Sequence, residues 1–438
     1  MQDHFFALAD ALQRHLLGDE IFTCWLVGEE SDFVRFNHGK VRQAGHVEQR
    51  HLHLRLVAHG RQGSAALALA GDASDAQRAG EALAKLRHVI DSLPVDPYLI
   101  YATEVNSTTT IRSAALPAPQ ECVEHIVAAS GGLDMVGIYA SGTMARGFAN
   151  SFGQRNWHEV ENFNLEWSLY HQADKAVKSS YAGAEWHTAT LQSKIQSAAQ
   201  QVELLQRPTK NLTPGDYRVF LAPRAMDELI GMLSWGGFSA KTRHTKQSPL
   251  IKMEQGAGLN PLVTLAENTV CGTAAAFQSD GFIKPDCVTL IEKGRLCDPL
   301  IAPRSAKEFG LVSNGANGSE TPESISMQCG TLPAADALAA LDTGLYISNL
   351  WYLNYSDRPA CRLTGMTRFA TFWVENGTIV APVNVMRFDD TLYRLLGDNL
   401  VALTTEPELM LDASSYGERS TNNSRLPGAL ISGMRFTL

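Results

Sequence analysis

All 13 histidines lie at or before His244 in a chain of 438 residues. The long remainder therefore offers no imidazole, either as a metal ligand or as a general base near neutral pH. Cys24, Cys122, Cys271, Cys287, Cys297, Cys329 and Cys361 are odd in number and contain no CxxC pair. That spacing disfavours both a zinc ribbon and a disulfide framework, and leaves buried reduced thiols as the expectation. No apolar run approaches the ~18 residues that a membrane-spanning helix needs. Block runs of Lys and Arg are missing too, and the formal net charge is −9, so neither nucleic acid nor an anionic membrane is expected as a direct partner. Met1-Gln2-Asp3-His4 lacks the basic start of a secretory signal, so the expected location is cytoplasmic. Charged residues are scarce at 19%, while hydrophobic residues make up 45%, which excludes disorder and coiled coil and leaves globular domains with sizeable cores.

What is present alternates between two periods. Phe5, Leu8, Leu12 and Leu16 recur at helical spacing and Gly18 supplies a stop. Short β-prone runs follow at 21–27, 32–36, 41–44 and 47–58, with a hairpin signal at Asn37-His38-Gly39-Lys40, a further strand at 64–70, and a second helix through Ala76, Ala79, Leu83, Leu86 and Ile90. Residues 1–100 thus read as an N-terminal α+β domain with an antiparallel sheet. Residues 101–210 read as a middle α/β segment, with a helix at 120–129, a strand at 133–140, paired strands between Gly147 and Trp186, and a helix through Leu191, Ile195, Ala199 and Val202. Residues 211–438 open with a strand at Tyr217, Val219 and Leu221 and a helix whose first position is Pro223, then turn β-rich, with strands expected at 288–291, 344–353, 370–374 and 434–438. The Gly- and Asn-rich stretch 313–326 has the composition of a mobile loop. The fold class expected is α+β, an N-terminal α+β unit followed by a β-rich C-terminal domain.

Catalytic signatures are searched for and not found. A zinc site on a helix needs HExxH or a longer variant, and the one His-Glu pair, His158-Glu159, has Asn162 and Phe163 where a second ligand would stand, which leaves His158 as a surface or turn residue. His51 and His53 share a strand face, but Arg55 lies on it as well and disfavours a dication. His15 and His88 read as helix surface positions. Gly256-Ala257-Gly258-Leu259-Asn260-Pro261 fails as a dinucleotide loop, no GxSxG or SxxK is present, and acidic pairs such as Asp227-Glu228 and Asp389-Asp390 read as solvated faces.

Several segments, in order, resemble the TldD/PmbA family, cytoplasmic proteins described as zinc-dependent peptidases and as modulators of DNA gyrase. They are 31–43, 133–142 and 146–151, followed by Leu290-Ile291-Glu292-Lys293-Gly294-Arg295-Leu296, 374–383 and 431–438. In that family the TldD-type member carries HExxxH on the helix after a central strand and takes a further ligand from a cysteine near the C-terminus. The corresponding helix here reads Ala225-Met226-Asp227-Glu228-Leu229-Ile230-Gly231-Met232-Leu233, and Ser415-Tyr416-Gly417-Glu418 stands where that cysteine would be. The resemblance therefore implies the TldE/PmbA-type member, with no catalytic, cofactor-binding or metal-binding residue of its own, dimeric, and assisting hydrolysis of unfolded or small peptides by a zinc-bearing TldD-type partner. A β-rich domain can hold a peptide by strand addition, which suits such a role. Two alternatives stay open: a homodimeric peptide-binding or scaffolding protein of the same fold, and a metallopeptidase with a nonstandard site using His51, His53 or His158.

Overall fold

The computed structural model describes residues 1–172 and 175–437. Helix α1 (Gln2–Arg14) leads into two long strands, β1 (Ile21–Asn37) and β2 (Lys40–Ala58), then β3 (Arg61–Ala68) and α2 (Ser74–Val89). After β4 (Thr108–Arg112) come α3 (Pro119–Ala129), β5 (Met135–Asn150), β6 (Arg155–Gln172), β7 (Lys175–Gly183) and α4 (Thr188–Leu205). The strands join in the order β3-β2-β1-β5-β6-β4, with β7 also on β6, so residues on both sides of position 100 share one sheet. All but the parallel β4–β6 pair are antiparallel. The short runs expected at 21–36 and 41–58 are one continuous hairpin. Polar residues at Glu29-Glu30-Ser31 break the hydrophobic pattern without breaking the ladder, because both neighbours continue to pair through them. His38 and Gly39, at φ 50° and 66°, make the tight turn that Asn37 to Lys40 signalled.

Alternation assigns the two faces of this sheet. Phe22, Cys24, Leu26, Leu52, Leu54, Leu56 and Trp157 pack under α1 and α2, while Phe36, Met135, Tyr139, Phe163, Leu165 and Trp167 pack under α3 and α4. Both helix pairs lie on one face, at opposite ends. The other face carries Trp25, Glu29, Ser31, Phe148, His158 and Asn162, and there the C-terminal half docks: Trp25 meets Phe277 edge to face at 5.8 Å, and Phe148 packs on Ala275 and Phe277. His158 is 1% exposed in mid-strand β6, not the surface or turn residue its neighbours suggested.

The C-terminal half opens with β8 (Gly215–Leu221) and α5 (Pro223–Gly231) and continues through β9 (Leu265–Asn268), β10 (Cys287–Glu292), β11 (Arg295–Leu296), β12 (Ser324–Met327), β13 (Gly344–Asp357), β14 (Arg362–Glu375), β15 (Thr378–Pro382), β16 (Arg387–Thr391), β17 (Leu400–Leu403), β18 (Glu408–Leu411), β19 (Asn423–Leu426) and β20 (Ala429–Phe436). Leu438, expected in the last strand, lies outside the described residues. Strands β13, β8, β20, β16 and β14 close into a barrel, because β13 also pairs with β14. A second sheet runs β11-β10-β9-β12-β19-β18. Between the two lies α5, whose Ala225, Met226, Leu229 and Ile230 join the shared core with Val219, Leu345, Ile347 and Leu426. Stretch 313–326 is irregular up to Ser324, as its composition implied, but it is tied down. Glu320, 2% exposed, accepts from Ser239 Oγ at 2.5 Å and from the Lys241 and Ala302 amides at 2.8 and 2.9 Å, thereby covering the first turns of the short helices 240–244 and 303–309. Of the seven cysteines, Cys24, Cys122 and Cys361 are buried, whereas Cys271 and Cys287 are exposed, contrary to the expectation of uniformly buried thiols.

Candidate functional site

The strand-to-helix step β8–α5 sets up a polar cleft in the C-terminal half. Pro223 fixes the first helical position, so the core stripe of α5 is determined and its opposite face must carry Arg224, Asp227, Glu228 and Gly231. That face looks onto a cleft of about 500 Å³ between α5, residues 321–323 and the ends of β18 and β19. Ser424 Oγ donates to Asp227 Oδ1 at 2.6 Å. Burial raises the Asp227 carboxyl above the usual range, with Glu166 and Asp412 adding to the rise, while the Ser424 bond and Arg224 oppose it. Burial likewise raises Glu228, against Arg224 and Lys178. Arg224 Nη2 donates to Glu166 Oε1 at 2.8 Å, tying α5 to the N-terminal sheet. On the cleft's other wall, Glu323 pairs with Lys284, and buried Glu267 accepts from the Glu323 and Ser324 amides. Asp227, read from sequence as a solvated acid, is thus a half-buried group with a hydroxyl partner. Asp390 is corrected in the same way, being 2% exposed and bonded to Arg394 and the Arg435 amide.

The HExxxH spacing can be laid on α5 only with Glu228 as its Glu, which puts Asp227 and Met232 at the two histidine positions. Asp227 is held by Ser424, and Met232 is 4% exposed inside the core. Among the described residues no three His, Cys, Asp or Glu side chains converge as a metal site. Ser415, Tyr416 and Gly417 sit on an exposed loop, with Tyr416 fully in solvent and the Gly417 carbonyl accepting from Gln49. A thioether and an already bonded carboxylate do not make the N- and S-rich tetrahedral set that zinc takes. The residues on α5 do not fit a zinc ion.

The histidines are dispersed. His51 and His53 lie on β2 facing away from Leu52 and Leu54, and Arg55 beside them is committed to Asp280 at 2.8 Å. The His158 ring nitrogen Nε2 meets the Thr273 carbonyl at 3.0 Å, and burial pushes the imidazole down to about 4. The structure brings none of these together with α5.

Replacing Asp227 by Asn tests the electrostatics of the cleft. Because the folded-state value is raised, the fold favours the protonated acid, and that contribution is lost as pH rises through the folded-state value. Asp227→Asn is therefore expected to raise the urea midpoint at pH 7, with the gain shrinking towards zero as the solution is acidified below the ordinary Asp range of about 3.9. A lower midpoint at pH 7 would show that Arg224 outweighs burial.

A helix-capped antiparallel sheet docked on a closed barrel, with a strand-to-helix step lining a cleft, places this chain among proteins with the same architecture over their full length. These include a candidate modulator of DNA gyrase from Thermotoga maritima (TM-score 0.78, 14% identity, 99% of both chains), TldE from Thermococcus kodakarensis (0.80, 15%, 99% of this chain and 100% of that one) and a candidate modulator of DNA gyrase from Bacteroides thetaiotaomicron (0.76, 15%, 99% and 98%). No curated protein matches at the level of sequence. Residues 214–438 match the PmbA/TldA metallopeptidase C-terminal domain, and the chain belongs to that peptidase-related family. No helix of the described residues is long and apolar enough to cross a membrane.

Proposed function

We propose that this chain is the metal-free, TldE/PmbA-type subunit of a cytoplasmic peptidase, and that it assists hydrolysis of small or unfolded peptides by a zinc-bearing TldD-type partner. The observation that carries this reading lies on α5 and the turn that follows it: Asp227 bonded to Ser424, and Met232 in the core just past the helix, stand where two zinc-binding imidazoles would be needed. The likeness in fold to TldE of Thermococcus kodakarensis supports it. On this reading residues 1–210 and 211–438 are the two working parts, and the chain supplies surface and positioning while the partner supplies the activated water.

Affinity purification of the tagged chain from its native cell is expected to recover an HExxxH-bearing homologue. The isolated chain is expected to hold well under one zinc per molecule by elemental analysis and to leave peptides intact. Stoichiometric zinc with robust hydrolysis by the chain alone would sink the reading, and repeated recovery as a homodimer without such a homologue would replace it with the scaffolding alternative.

A further inference from the structure

A second, smaller cavity of about 200 Å³ lies at the start of α5, between the N-terminal unit and the barrel. Its position follows from topology. Strands β8 and β13 are parallel and pair as far as Leu221 and Ile347, and at that point both chains depart from the ladder. Strand β8 turns into α5 through Ala222 and Pro223, and α5 has no side-chain cap on its first turn. Strand β13 slips register between Ile347 and Asn349, the kind of irregularity that re-aims side chains. Uncapped amides and a positive dipole end thus face a pair of redirected polar side chains.

Those side chains are Ser348 and Asn349, 8% and 3% exposed, and both line the cavity. Ser348 Oγ and Asn349 Oδ1 are buried without a hydrogen-bond partner among the described residues, as are Gln201 Oε1 and Arg224 Nε on the same walls. A buried orphan polar atom costs on the order of 1–3 kcal/mol, so four around one small space call for something to complete them. Three cations surround it. Arg224 and Lys178 are both held by Glu166, and Lys194 Nζ donates to Glu408 Oε1 at 2.5 Å. Asp227 and Glu228 also act on Arg224, and Glu228 on Lys178, so these cations are balanced by nearby carboxylates, and what is left open is the uncapped helix end with the orphan polar atoms.

We propose that this cavity binds the C-terminal carboxylate of a peptide. The carboxylate would take the α5 amides, the Ser348 hydroxyl and Arg224 Nε. Asn349 Oδ1 and Gln201 Oε1 are acceptors, and they need N–H donors that a peptide's last amide provides and a bare oxyanion lacks. A space this small admits an end group and not a folded surface. The proposal rests on the peptide-assisting reading given above, and it names the part of the peptide that the metal-free subunit would hold.

The test uses the full chain alone and a dye-labelled tetrapeptide with either a free C-terminus or a C-terminal amide, followed by fluorescence polarisation at low salt. The free acid is expected to bind at least ten-fold tighter than the amide. Ser348→Ala, a small truncation that removes one orphan hydroxyl, and Arg224→Gln should each weaken the free acid several-fold and leave the amide unchanged. Equal affinity for acid and amide, or no binding of either, overturns the proposal. Displacement by inorganic phosphate as effectively as by unlabelled free acid also overturns it, assigning the cavity to a free oxyanion. No partner enters this assay, so failure to recover an HExxxH-bearing homologue would end the subunit reading and leave this result standing, and the converse holds.

Discussion

Replacing Arg419 by alanine is expected to destabilise the fold by about 3 kcal/mol, in the range found when one member of a buried charged network is removed. Arg419 is 5% exposed at the tip of the loop between β18 and β19, pressed onto the sheet face opposite the helices. Its guanidinium donates to Ser31 Oγ at 3.3 Å, to the Gly142 carbonyl at 3.4 Å and to Asn162, and its backbone amide donates to Glu29 Oε2 at 3.1 Å. Burial pulls the guanidinium down to about 10, opposed by the nearby Glu29, so the group remains charged at neutral pH. Truncation would take the guanidinium away from Ser31, Gly142 and Asn162 in a buried seam, while the backbone bond to Glu29 would stay. Urea unfolding of Arg419→Ala against the parent chain checks this, and Arg419→Lys should recover part of the loss, since it restores the charge without the fork. A change under about 1 kcal/mol would mean that water enters the seam and replaces the guanidinium.

Acidification is expected to remove a comparable amount through His158. The buried ring sits at about 4 in the folded chain, mainly because burial disfavours the imidazolium, with Arg112, Arg146 and Lys284 adding to it and the Thr273 carbonyl opposing. The unfolded chain, with a value near 6.5, takes up the proton first as pH falls. Stability tied to the neutral ring is whole above about pH 6.5, erodes between there and about pH 4, and is gone below, a loss of about 3 kcal/mol. Urea midpoints at pH 7, 5.5 and 4 should fall for the parent chain, and the part that disappears in His158→Gln is the histidine's share. Parallel curves for the two proteins would show that carboxylates alone drive the acid loss.

The two predictions concern residues whose burial carried no signal in the chain, and the reason is physical. Helices α1 to α5 were readable because each buries one stripe, so a period near 3.6 survives in the letters, and the hairpin at Asn37 to Lys40 was readable because its φ angles demand particular residues. Strand β2 was split because residues 40–46 are exposed and carry no buried stripe. The long strand β1 was read as fragments, because its centre buries Glu29 and Ser31 against Arg419, nearly four hundred positions away, and local alternation cannot report such a partner. Asp227 was taken for a surface acid for the same reason: Ser424 arrives from β19. What the letters did carry was the missing HExxxH motif, since Asp227 and Met232 are read directly from the chain and neither is an imidazole.

Closure of the barrel bears on how the chain acquires its shape. Strand β8 is flanked by β13 and β20, so residues 215–221 pair with residues 429–436, about 200 positions later. During synthesis β8 and β16 must wait with unpaired edges until β20 has left the ribosome. Contacts of such long range are formed slowly, since loop closure is completed before any pairing rewards it. Exposed edges in that interval invite pairing with a neighbouring chain. The step most exposed to chaperone capture is thus the final insertion of β20, and a translational pause ahead of residue 429 would prolong the vulnerable state.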